Sequence, residues 1–275
     1  MTNLAPTIPL SGGAAIPAIG AGTWPLDDAE VEAMALTAFE LGYRLIDTAE
    51  NYRNEAGVGK AVRNSGLPRE DLFVTTKFNR KWHGDAVGGV ENNLATLGLD
   101  YVDLVLIHWP NPDQDLYVRA WEGLVEARER GLVRAIGTSN FKPSHLQRII
   151  DATGVTPDVN QIQCNPFTER AAERAFHAEH GIVTESWAPL AAGNGLIDDP
   201  MVAELAEEHV ATPAQVVLAW HVSQGLVPIP KSSNRERLEQ NLAAASIRLG
   251  EMELQRLSDL TNPDYRAADS DSFGH

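Results

Sequence analysis

The sequence predicts an α/β fold, a (β/α)8 TIM barrel, on three observations. Short apolar runs alternate with longer segments of helical spacing, eight such runs can be counted, and most of them are apolar without alternation. A strand apolar along its whole length is covered on both faces, as in a parallel sheet wrapped by helices. Eight strand-helix units suit a closed barrel; an open doubly wound sheet is the alternative for the same count. The 275 residues fit one domain, 1–275, since such barrels run to about 250 residues.

The elements follow in order. "TIPLSGGAAIPAIG" has two short apolar runs around Gly12 and Gly13, the signal of a hairpin. It would form an N-terminal β-hairpin plug across the bottom of the barrel. The eight strand candidates are Ile19 to Gly22, Arg44 to Asp47, Leu72 to Lys77, Val102 to His108, Val133 to Thr138, Val159 to Gln163, Ile182 to Ser186 and Val227 to Pro230. Between them, "DDAEVEAMALTAFELG", "VGGVENNLATLG", "DLYVRAWEGLVEARERG" and "KPSHLQRIIDATG" carry helical spacing and end in glycine, the residue expected just past a helix C-terminus. Thr212-Pro213 breaks the pattern after the seventh strand. An N-cap followed by proline at the first helical position explains the break and gives two extra helices before the eighth strand. The polar end, "NPDYRAADSDSFGH", reads as a tail over one face.

Composition excludes several classes. A formal net charge of −16 argues against nucleic-acid and acidic-membrane surfaces, which require basic patches. No apolar run approaches the ~20 residues of a membrane span. The start "MTNLAPTIPL" lacks a basic stretch followed by an apolar one, so a cytoplasmic location is expected. Cys164 is the only cysteine; an internal disulfide is excluded, and a buried core thiol is the expected role.

In a barrel of this kind, functional groups project from the C-terminal ends of the strands. The second strand ends at Asp47, the third at Lys77, the fourth at His108 and the fifth at Ser139-Asn140; the sixth carries Asn160-Gln161, the seventh runs into Trp187 and the eighth into Lys231. Singly, Asp47 could cap a helix and His108 could be a core histidine. Together they bring an acid, a lysine and a histidine to one pocket, with Tyr52 on the loop after the second strand. A free phenol has a pKa of about 10, and a neighbouring ammonium lowers it. Lys77 would supply that charge, Asp47 would hold Lys77, and His108 could donate a hydrogen bond to a substrate oxygen. Such a group is a general acid suited to a carbonyl that becomes an alkoxide.

No G-x-G-x-x-G follows a strand, so a Rossmann site is not supported. The glycine-containing "APLAAGNGLIDD" reads as a loop able to lie over an extended ligand. Beside it, Lys231, Arg235 and Arg237, with Ser232, Ser233 and Asn234 between them, form a basic cluster on an acidic chain. Loops after the last two strands commonly bind phosphate, whereas like charges at a helix start oppose the dipole.

These residues resemble the aldo-keto reductases. "LIDTAENYRNEAGVG" is similar to the family signature D-T-A-x-x-Y-x-N-E-x-x-x-G, and "LVLIHWP", "GTSNF", "VNQIQCNPF", "ESWAPL" and "PKSSNRERLEQN" follow in the family's order. The chain is similar to the short bacterial members typified by 2,5-diketo-D-gluconate reductase. The resemblance implies NADPH-dependent reduction of a small aldehyde, dicarbonyl or keto-sugar to the alcohol. It implies a catalytic tetrad of Asp47, Tyr52, Lys77 and His108, with Tyr52 as proton donor, and no metal. Cofactor contacts carried over by it are Thr23, Trp24 and Asp47; Ser139, Asn140 and Gln161 at the carboxamide; Trp187 on the ring; Ala188, Pro189, Leu190 and Ala191 along the pyrophosphate; Lys231, Ser232, Ser233 and Arg237 at the 2′-phosphate; and Gln240 and Asn241 at the adenine. Candidate substrate contacts are Trp24, Tyr52, Trp82, His108, Trp109 and Asn111. A monomer is favoured by analogy.

The chain departs from the family at Gln240, where many relatives have glutamate, at Asn165, where histidine is usual, and at Ala188, where serine or glycine is common. Its tail is shorter than in the animal enzymes, which implies a more open pocket. Two other classes compete: a cofactor-binding regulatory subunit, opposed by the complete tetrad, and a metal-dependent hydrolase, for which only Asp47 and His108 would qualify. Trp121, within an amphipathic helix, is expected in the core.

Overall fold

The structure, a computed structural model, describes residues 4–274. A two-stranded antiparallel hairpin comes first, β1 (Thr7–Pro9) and β2 (Ala15–Pro17). Eight strands then form one curled parallel sheet in sequence order: β3 (Ala21–Gly22), β4 (Leu45–Asp47), β5 (Phe73–Phe78), β6 (Val102–Ile107), β7 (Val133–Ser139), β8 (Val159–Gln163), β9 (Val183–Trp187) and β10 (Val227–Pro228). Beyond that ladder, the N–H groups of Gly20 and Gly22 donate to the carbonyls of Pro228 and Pro230 at 3.0 and 3.1 Å. These two bonds link the segments around β3 and β10. Both strands are shorter than the sequence suggested; at the eighth, Pro228 and Pro230 have no N–H to extend the ladder.

The helices are α1 (Asp28–Leu41), α2 (Glu55–Asn64), α3 (Ala86–Leu97), α4 (Tyr117–Glu129), α5 (Pro143–Thr153), α6 (Ala171–His180), α7 (Pro200–Glu208), α8 (Pro213–Ser223), α9 (Arg235–Ala243) and α10 (Glu251–Ser258). Their ends follow local chemistry. Asp27 opens α1 with a capping box closed by Glu30, and Gly42 ends it at φ 114°. Gly98 and Gly154 end α3 and α5 in the same left-handed region, which costs glycine least. Thr212 caps α8 with Pro213 in its first turn, as expected, so α7 and α8 both lie between β9 and β10. In α2 two glycines permit close helix contact: a Cβ at Gly57 would meet the Asp28 carbonyl at 2.2 Å, and one at Gly59 the Leu97 carbonyl at 1.7 Å.

Inside the curl, Leu45, Phe73, Leu104, Leu106, Ala135, Val159 and Val227 pack together, with Leu10 and Ile16 of the hairpin segment in the same cluster. The hairpin is pinned by Asp158, just before β8, which accepts N–H bonds from Gly12 at 2.6 Å and Ile136 at 3.1 Å. Between sheet and helices, Trp121 is fully buried. Cys164 is buried too, and burial pushes its thiol up to about 12. Among the described residues, no helix is long and apolar enough to cross a membrane.

Candidate active site

The site gathers where the parallel strands end. β4 stops at Asp47 and β5 carries Lys77, paired in a ladder that sets Asp47 opposite Thr75. The Lys77 ammonium donates to both Asp47 oxygens at 2.6 and 2.8 Å and to the Thr48 carbonyl at 2.9 Å. The lysine side chain is 0% exposed. After β4 the chain makes one tight turn, Glu50–Tyr52. This turn brings the Tyr52 ring to 5.1 Å from the Lys77 nitrogen. His108, one residue past β6, meets the same ring edge-on, 5.8 Å between centroids.

Charge in so buried a group has opposing causes. Burial pulls Lys77 toward its neutral form, but the Asp47 carboxylate, with Tyr52 and the hydrogen bond, outweighs burial and leaves the lysine above its ordinary value. Burial also raises Asp47, opposed by Lys77 and by an N–H from Gln161. For Tyr52, packing raises the phenol above the usual tyrosine range, with Lys77 lowering it only in part. That corrects the expectation of an acidified phenol. At neutral pH Tyr52 holds its proton, as a donor must until an alkoxide develops.

Beside this group runs a cleft of about 590 Å³. Of the residues singled out in the sequence, Thr23, Trp24, Asp47, Tyr52, His108, Trp109, Ser139, Asn140, Gln161, Trp187, Ala188, Pro189, Leu190 and Lys231 line it. Trp24 stands at the mouth, 63% exposed. Asn140 donates to the His108 carbonyl and to Ser139 Oγ and accepts the Trp187 indole N–H at 2.8 Å, so it fixes the Trp187 ring. Gln161 gives its amide hydrogens to Asp47 and to Glu185, at 2.8 and 2.7 Å.

Other candidates lie apart from the cleft wall. Ala191 is buried beneath the loop, and Ala192 lines the cleft beside it. Ser232 caps the turn to Asn234, whose side chain receives the N–H of Arg237 at the start of α9. Ser233, Arg237 and Gln240 are on the surface nearby, and Asn241 is buried in α9. Arg235 is turned away to Glu40 of α1 at 2.8 Å, which leaves Lys231 and Arg237 as the cations of the basic cluster. Trp82 donates to Glu50 at 3.1 Å on the rim, and Asn111 is buried next to Gly274.

Further contacts of the site emerge only in three dimensions. The tail folds back over the site: Phe273 lines the cleft with its ring 4.8 Å from that of Trp109, and Lys142 pairs with Asp269 and Asp271. The short tail thus still reaches the cleft and covers part of it. Asn165 gains an account as well, because its amide donates to the Ala188 carbonyl at 3.0 Å and to the Tyr265 hydroxyl at 2.9 Å. It joins the tail to the loop after β9. Glu185, fully buried in β9, is an acid inside a strand, the same signal that singled out Asp47.

Fold and site together define the class: an α/β oxidoreductase with a buried lysine-aspartate pair and a tyrosine beside a cleft. The sequence matches the Aldo/keto reductase family over residues 16–262, and the chain belongs to that family. It is similar to methylglyoxal reductase DkgA of Escherichia coli, with 43% identity over 97% of this chain and 98% of that one. It is also similar to 2,5-diketo-D-gluconic acid reductase B of a Corynebacterium, with 48% identity over 88% and 87%. Among solved structures, Gox0644 in its apo form superposes with a TM-score of 0.94 at 39% identity, covering 99% of this chain and 100% of that one. A variant of Gox0644 crystallised with NADPH gives a TM-score of 0.93 at 39% identity, covering 99% and 100%.

The signature segment contains one more buried acid. Glu55, at the start of α2, accepts bonds from Thr76 of β5 and, at 2.9 Å, from Asn93 of α3, and burial raises its carboxyl to about 7. Unfolded, this group ionises near 4.5. Its contribution is full below that value and is lost as pH rises toward 7, by about 3 kcal/mol. Glu55→Gln keeps the acceptor without the charge. Thermal unfolding across this range should show the variant gaining on wild type as pH rises; a constant difference would contradict the assignment.

Proposed function

We propose that this enzyme reduces a small aldehyde, dicarbonyl or keto-sugar to the alcohol with NADPH, with Tyr52 as the proton donor. The observation that carries this reading is the Tyr52 ring, its centroid 5.1 Å from the buried Lys77 nitrogen, at the wall of a cleft lined by tryptophans. We read the chain as one domain, 1–275, and as a closed (β/α)8 barrel, supported by the bonds from Gly20 and Gly22 to the last strand. A monomer is favoured by analogy alone, and the expected location is cytoplasmic.

The cleft fits the cofactor. Gln161 retains a carbonyl oxygen able to accept from a carboxamide, Trp187 is oriented as a wall for a ring, and Thr23 Oγ1 is buried without a partner among the described residues. Lys231 stands at the phosphate end, with Arg237 on the surface beyond it. NADPH supplies the hydride. The protein does the rest: Tyr52 gives its hydroxyl proton to the carbonyl oxygen as that oxygen becomes an alkoxide. Lys77 stabilises the phenolate left behind, Asp47 keeps Lys77 charged and in place, and His108 orients the substrate oxygen. Water is limited by Trp24, Trp109 and Phe273. The two curated relatives are named for methylglyoxal and 2,5-diketo-D-gluconic acid, both dicarbonyls, which supports that substrate class. The metal-hydrolase alternative is disfavoured because the Asp47 oxygens are already engaged by Lys77 and Gln161.

Tyr52→Phe should lower kcat by at least about a hundredfold while NADPH affinity changes little. Retention of most of the turnover with an aldehyde would overturn the proton-donor assignment. Lys231→Ala should weaken NADPH by roughly tenfold and NADH far less, because a charge-assisted contact to the extra phosphate is lost. Equal losses for the two cofactors would show that Lys231 does not read that phosphate.

A further inference from the structure

Beneath the cleft lies a second acid that the proton transfer leaves unused. Glu185 lies in β9, 0% exposed, with Gln161 of β8 and Val227 of β10 as its register neighbours. Its Oε2 accepts from the Gln161 amide at 2.7 Å, and the same nitrogen donates to Asp47 Oδ2 at 2.8 Å. Glu185 Oε1 has no hydrogen-bond partner among the described residues. An amide facing two carboxyl groups has one satisfactory orientation, with its NH2 between the acids and its carbonyl oxygen turned away from them. Gln161 also lines the cleft.

We propose that Glu185 is a positioning residue of the reductase site: by sharing with Asp47 the two amide hydrogens of Gln161, it presents the Gln161 carbonyl to the cofactor carboxamide, and its charge acts on Lys77 and Tyr52. The inference rests on reading the cleft as the NADPH site. The charged and titratable groups facing Glu185 are Asp47 from β4, Lys77 from β5 and Tyr52 from the turn after β4; β8 offers the neutral Gln161 and β10 the apolar Val227. Burial, and next the Asp47 charge, raise the Glu185 carboxyl to about 8. Below that pH the cluster of Lys77, Asp47 and protonated Glu185 carries no net charge. Above it, the Glu185 charge holds the Tyr52 phenol further up and supports the Lys77 ammonium. Alcohol oxidation, which needs the phenolate as base, therefore sets in at higher pH than it would without this acid.

Two variants separate position from charge. Glu185→Gln keeps an acceptor for Gln161 and removes the charge, while Glu185→Met removes both and leaves an apolar side chain. NADPH dissociation constants from fluorescence titration should rise roughly tenfold in Glu185→Met, equivalent to ~1.4 kcal/mol, and stay within about twofold in Glu185→Gln. In both variants the alkaline rise of kcat/KM for alcohol oxidation should move to lower pH. Unchanged NADPH affinity in Glu185→Met would overturn the positioning role. An unchanged pH profile in Glu185→Gln would overturn the role of its charge. Wild-type protein that failed to bind NADPH would remove the reading of the cleft itself, and this inference with it.

Discussion

An ammonium and a carboxylate, Lys77 and Asp47, meet at 2.6 Å where both are shut off from solvent. Neither could be charged there alone, since removing one partner of a buried pair typically costs 3–5 kcal/mol. Their meeting depends on β4 and β5 lying in parallel with Asp47 opposite Thr75. Once made, it fixes much else: Gln161 is held against Asp47, Glu185 against Gln161, and Tyr52 takes its place over the ammonium. A polar network of this kind is stable only when nearly every member is satisfied. Among the described residues, one Glu185 oxygen is the member of this network without a partner.

Acids at the two ends of the sheet have different duties. At the start of β8, Asp158 spends its oxygens on backbone N–H groups of the hairpin loop and β7. At the start of β6, Asp103 likewise takes the Val74 N–H and two arginines. These groups tie strands together and close the bottom of the sheet. At the other end, Asp47 and Glu185 face an amide, an ammonium and a cleft, so their charge can act on a ligand. The tail belongs to this second end, where Tyr265 and Phe273 bring it against Asn165 and Trp109.

Much of this was legible in the sequence because the responsible forces are local. Apolar runs gave the strands, and Thr212, Gly42, Gly98 and Gly154 gave helix ends through a cap and left-handed turns. Asp47 and Lys77 could be read from their places at strand ends. What escaped depends on distant contacts. The upward shift of Tyr52 comes from packing by several elements, which no spacing reports. Arg235 looked like part of a phosphate site until its partner, Glu40 of α1, was seen 195 positions away. The same holds for Asn165, whose partners come from the tail and the loop after β9. Glu185 could have been flagged, since "VTESW" sets an acid in the middle of a buried strand as "LID" does at the end of one.

The central claim is that the Lys77-Asp47 pair eases ionisation of Tyr52 against the opposing effect of burial. It is tested most directly by ultraviolet difference titration of the Tyr52 phenol, with Tyr52→Phe in each background subtracted. The comparison is between the protein with the pair intact and a double variant, Asp47→Leu with Lys77→Met, both in a Glu185→Gln background, so that the pair is replaced by apolar side chains and no lone buried charge is left. Phenolate formation should move to higher pH in the double variant. Ionisation at the same or lower pH would contradict the claim.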